Sequence, residues 1–176
     1  MIFVISPLIR INNEMLKSDE FEVTLVTKHS VALPENMVKP FIKNGHKRVR
    51  VIAKHEDRAI EFHAALIKEK SGQYRIYFSN AKQKELVIFM NDYFTIQLLE
   101  DQSKYGVELS EEFEAVLLSD YEAYTLFESL TPGKQRSIIY AIQRYKNSQT
   151  RVDKALLVME NLKRGITDPK LWLKHN

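Results

Sequence analysis

Between Phe21 and about Asp101, apolar and polar residues alternate with a period of two; beyond residue 106 the apolar positions recur three and four apart. The first pattern predicts half-buried strands and the second amphipathic helices. In order, Phe21, Val23 and Leu25 alternate with Glu22, Thr24 and Val26 as a first strand, and Val31 and Leu33 form a second that Pro34 ends. Pro34-Glu35-Asn36 opens a short helix with Met37, Val38, Phe41 and Ile42 on its apolar side. Asn44-Gly45 closes it, because glycine tolerates the left-handed backbone that a helix end requires. Val49, Val51 and Ala53 lead through the charged turn Glu56-Asp57-Arg58 to Ile60, Phe62, Ala64 and Leu66, which predicts a hairpin. After Ser71-Gly72 come Tyr74, Ile76 and Phe78, then a short helix through Leu86 for which Asn80 is the expected cap. The last strand follows the Asn91-Asp92 turn. It is partly apolar on both faces, with Phe94, Ile96 and Leu98 opposite Tyr93, Thr95, Gln97 and Leu99, so it is expected to be well buried. About six closely spaced strands and one or two brief helices predict a small β-barrel.

The period changes at Asp101-Gln102-Ser103-Lys104-Tyr105-Gly106, the expected domain boundary. Ser110 precedes Glu111 and Glu112, acids that suit a first helical turn. Ser119-Asp120-Tyr121-Glu122 has the form of a capping box, and Thr131-Pro132 supplies an N-cap with proline at the first helical position. Ile138, Ile142 and Tyr145 mark the next buried face. Thr150 or Ser148 is the expected cap of a last long helix with an apolar stripe of Val152, Ala155, Leu156, Met159 and Leu162, stopped by Gly165. Trp172, in the tail beyond it, is expected to dock on the helices. The expectation is an α+β chain: a tail or edge strand over 1–17, a small β-barrel over 18–103 and a three- to four-helix domain over 107–176.

Composition narrows the chemistry. There is no cysteine among 176 residues, which removes disulfides, thiolate metal sites and a thiol nucleophile. The apolar opening MIFVISPLIRI is too short to cross a bilayer, which takes about 20 residues. It has no basic run before it, so neither a membrane span nor a signal peptide is predicted and the expected address is cytoplasmic. The net charge of +3 is too small to imply a nucleic-acid partner, but its distribution is uneven. Residues 36–55 carry Lys39, Lys43, Lys47, Arg48, Arg50 and Lys54 without an acid, and residues 134–164 are also rich in Lys and Arg.

One group of positions carries a family resemblance. Phe127, Leu130 and Pro132, then Arg136, Ile142, Lys146, Thr150, Arg151 and Lys154 stand at spacings similar to those of the bacterial YdeI/OmpD-associated family, also described as a bacteriocin-protection domain. The resemblance covers roughly residues 110–165. The chain departs from the family's usual pattern at Tyr145, where a small residue is common, and at Lys154, where arginine is common. Lysine keeps the charge but loses the planar two-pronged donor. Leu33-Pro34, Arg48-Val49-Arg50-Val51 and the Asn91-Asp92 turn resemble a domain of unknown function often placed before this helical one. The resemblance implies a stress- or envelope-associated bacterial protein and assigns no catalytic residue.

The residues themselves offer no nucleophile motif, no glycine-rich phosphate loop and no histidine pair at metal-ligand spacing, so no catalytic group, metal or cofactor is predicted. Glu61 and His63 would share one strand face, more as cross-strand surface than as an acid–base pair. Lys146, Arg151 and Lys154 gather near the start of the last helix, where amides and positive charge suit a phosphate or carboxylate. The alternative there is structural, with Arg151 paired to Asp153, Glu160 or Glu128. Lys43, Lys47, Arg48 and Arg50 are the candidates for a basic face. The function expected is a non-enzymatic binding module for an anionic small molecule or protein partner. The alternatives are weak nucleic-acid or polyanion binding, with Tyr74, Tyr77 or Phe78 stacking on bases, and an enzyme with an interdomain site.

Overall fold

The computed structural model describes residues 15–174; most of the expected tail or edge strand over 1–17 lies outside them, as does His175. The protein is α+β, and the chain divides into two compact units between Asp101 and Gln102. The first unit holds eight strands in two antiparallel four-stranded sheets. One sheet has the order β1 (Phe21–Val23), β8 (Phe94–Glu100), β4 (Arg48–His55), β5 (Arg58–Ala65). The other has the order β2 (Leu25–Thr27), β3 (Ser30–Leu33), β7 (Tyr74–Tyr77), β6 (Ile67–Lys68). The two extra strands have a simple origin. The single strand expected over 21–26 divides at Thr24, where the chain leaves one sheet and enters the other, and Ile67–Lys68 adds a short pairing with β7.

The alternation works as expected on the inner faces, where Val49, Val51 and Ala53 of β4 are fully buried. Side chains from both sheets enter one core, in which Phe78 stacks edge-on to Phe62 at 5.4 Å and leans on Phe94 at 5.3 Å. Strand β8 is paired on both edges, to β1 with Phe21 opposite Ile96 and to β4 with Val51 opposite Leu98. Its inner face, Phe94, Ile96 and Leu98, is buried, while Thr95 and Gln97 on the other face are half-buried. Two short helices belong to this unit, α1 (Glu35–Lys43) and α2 (Asn80–Leu86), and bury Val38, Phe41 and Leu86 in its core. The cap of α2 is Ser79, one residue before the expected Asn80, with its hydroxyl accepting from the Lys82 amide. Val87 follows at φ +54°, a left-handed setting that a branched side chain rarely takes. The loop it starts displays Phe89, Met90 and Tyr93 to solvent, while the Asp92 carboxylate accepts the Phe89 amide at 2.8 Å and pins the turn.

The second unit contains four helices, α3 (Glu111–Ser119), α4 (Tyr121–Ser129), α5 (Pro132–Gln143) and α6 (Ser148–Lys163). Thr131 caps α5 as predicted, and Ser110 caps α3 ahead of the acidic first turn. Two caps move by one or more residues. Ser119 belongs to α3 and turns its hydroxyl back to the Val116 carbonyl, so Asp120 caps α4 instead. Asn147, not Thr150 or Ser148, caps α6, because its side-chain oxygen reaches the Thr150 amide at 2.9 Å. The buried stripe of α6 is Ala155, Val158, Met159 and Leu162; Leu156, expected in it, is 52% exposed. Its place is taken by Val158, which completes the three-and-four spacing with its neighbours.

At the end of α6 the Gly165 amide bonds to the Leu162 carbonyl and the Ile166 amide to that of Asn161, with Gly165 at φ +77°. This paired closure turns the chain back. Trp172 then docks as anticipated, 2% exposed, with its indole N–H donating to the Ile166 carbonyl at 3.1 Å. Fully buried Asn161 donates to the Trp172 and Lys174 carbonyls at 3.0 and 2.9 Å. Among the described residues no helix is long and apolar enough to cross a membrane.

Asn161→Ala removes these donors and leaves buried carbonyls unpaired, so it is expected to destabilise the helical unit by about 2–3 kcal/mol. Trp172 is the sole tryptophan, so its emission in urea reports this unit alone. An unchanged midpoint would show that the tail is held by packing without the amide.

Candidate functional site

Residues 103–109, which begin within the expected domain boundary of 101–106, form a strap laid over α3 and α4. Tyr105 stacks edge-on against Phe127 at 5.5 Å and Val107 is buried. Arg136 donates to the Tyr105 carbonyl at 3.3 Å, and the Gln143 amide donates to the Glu108 carbonyl, which ties the strap to α5. Beneath and beside the strap is a cavity of about 380 Å³, within the range of small-ligand sites. Leu109, Leu117 and Tyr124 form its apolar walls, Leu118 stands at its lip, and Lys104, Glu108 and Glu114 supply its charges.

One wall is a closed polar network. The Lys104 ammonium donates to the Tyr124 hydroxyl at 2.7 Å and to Glu128 at 2.9 Å, and the Tyr105 hydroxyl donates to the same Glu128 oxygen at 2.6 Å. Lys104 also sits 5.1 and 5.0 Å from the ring centres of Tyr105 and Tyr124, within cation–π range. Hydrogen bonds to Tyr124 and Glu128 raise the Lys104 ammonium above its ordinary value. Burial, together with the bond to Glu128, pushes the Tyr105 phenol up to about 12. Burial alone would raise the Glu128 carboxyl, but the Tyr105 and Lys104 donors hold it below its usual range. All three therefore keep one protonation state across neutral pH, an arrangement suited to holding a shape rather than moving a proton.

The candidate anion site at the start of α6 is built differently from its sequence-level picture. Arg151 forms a two-pronged pair with Glu112 of α3, Nε to Oε2 at 2.9 Å and Nη2 to Oε1 at 2.5 Å. Its Nη1 donates to the carbonyls of Tyr145 and Lys146 at 2.9 and 3.1 Å. The partner is thus Glu112, not Asp153, Glu160 or Glu128, and Ser148 adds a bond to the same carboxylate at 2.6 Å. Bonds from Arg151, then Ser148, then the Glu112 amide itself hold this carboxyl down at about 2. Lys146 is exposed and Lys154 half-buried, and neither ammonium forms an ion pair among the described residues. An incoming anion would meet a guanidinium whose prongs are already filled.

The basic run on β4 faces outward but is interleaved with acid. Arg50 lies 2.9 Å from Glu61, a charge contact rather than an aligned hydrogen bond, and Lys54 pairs with Glu20. Lys43 and Lys47 are exposed, and Arg48 is half-buried. His63 does not pair with Glu61; its Nδ1 meets Asp101 at 3.0 Å, with the two side chains 12% and 4% exposed. Tyr74 and Phe78, considered for base stacking, belong to the core, and of that trio Tyr77 alone is exposed. No group of histidines and acids able to hold a metal ion occurs among the described residues.

Sequence reasoning did not bring Lys104, Tyr105 and Glu128 together, naming Glu128 only as a possible partner of Arg151. Their signal was present as Tyr105 and Val107, two apolar side chains in a stretch otherwise polar enough to read as linker.

The class of protein is then a small strand unit followed by a capped four-helix unit that bears a strapped cavity. Residues 106–165 match the family described as Bacteriocin-protection, YdeI or OmpD-Associated, so the helical unit is similar to that family's domain. No curated protein and no solved structure matches the chain.

The Glu112–Arg151 pair has a pH signature. Because the folded carboxyl sits near 2 rather than at its ordinary 4.5, its contribution is complete above 4.5 and disappears as pH falls toward 2. Glu112→Gln is expected to lower the melting temperature at pH 7 by a few degrees, and the gap to the parent should close across that window. A gap that stays constant down to pH 2 would show that the pair does not couple α3 to α6.

Proposed function

We propose that the protein is a non-enzymatic binding module whose ligand site is the strapped cavity of the helical unit. The carrying observation is the Lys104–Tyr105–Tyr124–Glu128 network, which rigidifies one wall of an apolar, solvent-connected cavity. A preformed site of this kind binds without the cost of ordering its walls. The rest of the unit supports the same reading: caps, the Arg151 fork and the Trp172 dock hold the helices that line the cavity. The family description, bacteriocin protection, agrees with a protein that acts by holding a molecule rather than converting it. A stress- or envelope-associated protective role in a bacterium follows as part of this proposal.

The test is a titration of isotopically labelled protein with neutral, anionic and cationic fragments, followed by amide NMR. Shifts confined to Leu109, Leu117, Leu118 and Tyr124 are expected at millimolar concentrations. If no fragment moves those signals, the cavity is not a binding site.

A further inference from the structure

The charges around the cavity define what it would hold. Glu108 and Glu114 both line it, both are exposed, and neither carboxylate forms an ion pair or hydrogen bond through its side chain among the described residues. The only cation in the lining, Lys104, has its charge answered by Glu128. The two rim carboxylates are therefore left uncompensated above an apolar wall of Leu109 and Leu117, with Leu118 74% exposed at the lip. A neutral ligand would leave that field unused, and an anion would enter against it.

A second observation points the same way. The chain already places one ammonium in this wall: Lys104 rests on the faces of Tyr105 and Tyr124 and is anchored by a carboxylate. Rings presenting their faces beside carboxylates are the setting that recognises organic ammonium groups. In the same lining Glu108 and Glu114 offer carboxylates without an ammonium to match.

Resting on the cavity as the binding site, we propose that its ligand is an amphipathic organic cation, an amine joined to an apolar or aromatic body. The apolar part lies along Leu109, Leu117 and Leu118, and the ammonium stands between Glu108 and Glu114. Each rim pair is solvent-exposed and individually weak, so selectivity arises from the two acting together and diminishes with salt.

The experiment compares 2-phenylethylamine with 2-phenylethanol and 3-phenylpropanoate by the same amide shifts, at low and high salt. The amine is expected to bind about tenfold more tightly than the alcohol at low salt, the carboxylate weakest, with the amine's advantage shrinking as salt rises. The double variant Glu108→Gln/Glu114→Gln should bring the amine to the alcohol's affinity and leave the alcohol unchanged; Trp172 emission verifies that the variant is folded. Equal binding of amine and alcohol, or an advantage that survives the double substitution, overturns the charge assignment while leaving the cavity as a site. Failure of all three to bind overturns the cavity reading as well.

Discussion

A helix buries its flank but leaves amides at one end and carbonyls at the other without partners, and here those ends are closed by short side chains and glycine turns from the adjoining residues. Ser79, Ser110, Asp120, Thr131 and Asn147 each accept an amide at the start of a helix. Gly45 and Gly165 provide matched backbone closures at the other end. Arg151 does the same for the carbonyls of Tyr145 and Lys146, just beyond α5. Helices of 9 to 16 residues are marginal on their own in water. Closure of their ends is thus a condition for the core of Phe113, Phe127 and Ile138 to assemble. Asp120 shows how closely these roles are coupled, since it caps α4 through one oxygen and meets Lys163 of α6 through the other at 2.8 Å.

The cavity is a by-product of the same constraint. The strap crosses α3 and α4 because Tyr105 and Val107 have apolar surface to bury, and its carbonyls are met by Arg136 and Gln143. Glu128 then becomes the shared acceptor for two neighbours in sequence, Lys104 and Tyr105, which fixes the side of the strap that faces the helices. Of the charged residues lining the cavity, Glu108 and Glu114 take no part in an ion pair among the described residues.

Much of this was legible in the chain. Period-two alternation located the β4–β5 hairpin and the burial of β8, and the proline and glycine signals found α1, α5 and the stop at Gly165. The strand order was not legible, because alternation specifies which face is buried and says nothing about which strand lies alongside. The break at Thr24 was hidden for the same reason: both β1 and β2 keep the inward face, so the change of sheet leaves no mark in the pattern. Caps slipped by a residue where two short polar side chains compete for the same amide, as at Ser119 and Asp120. Arg151 was singled out correctly as unusual, yet its partner lay thirty-nine positions away in Glu112, beyond the reach of helical spacing. The strap was obscured by its polarity, since composition there reports the exposed side of a segment whose other side is packed.

The central place of β8 sets the order in which the first sheet can be completed. The β4–β5 hairpin pairs within itself across a tight turn and can form as soon as Ala65 has been made. Strand β1, at the other edge, has no partner in its sheet until Phe94 to Ile96 arrive to lie between it and β4. Until then two strand edges stand open, the situation that invites pairing with other chains. During synthesis the interval between residues 23 and 94 is therefore a period of exposure, and contacts of long sequence separation make the closing step slow compared with hairpin formation. Arg48, Arg50 and Lys54 alternate along β4, and charged side chains on a strand whose edge is open discourage its pairing with other chains.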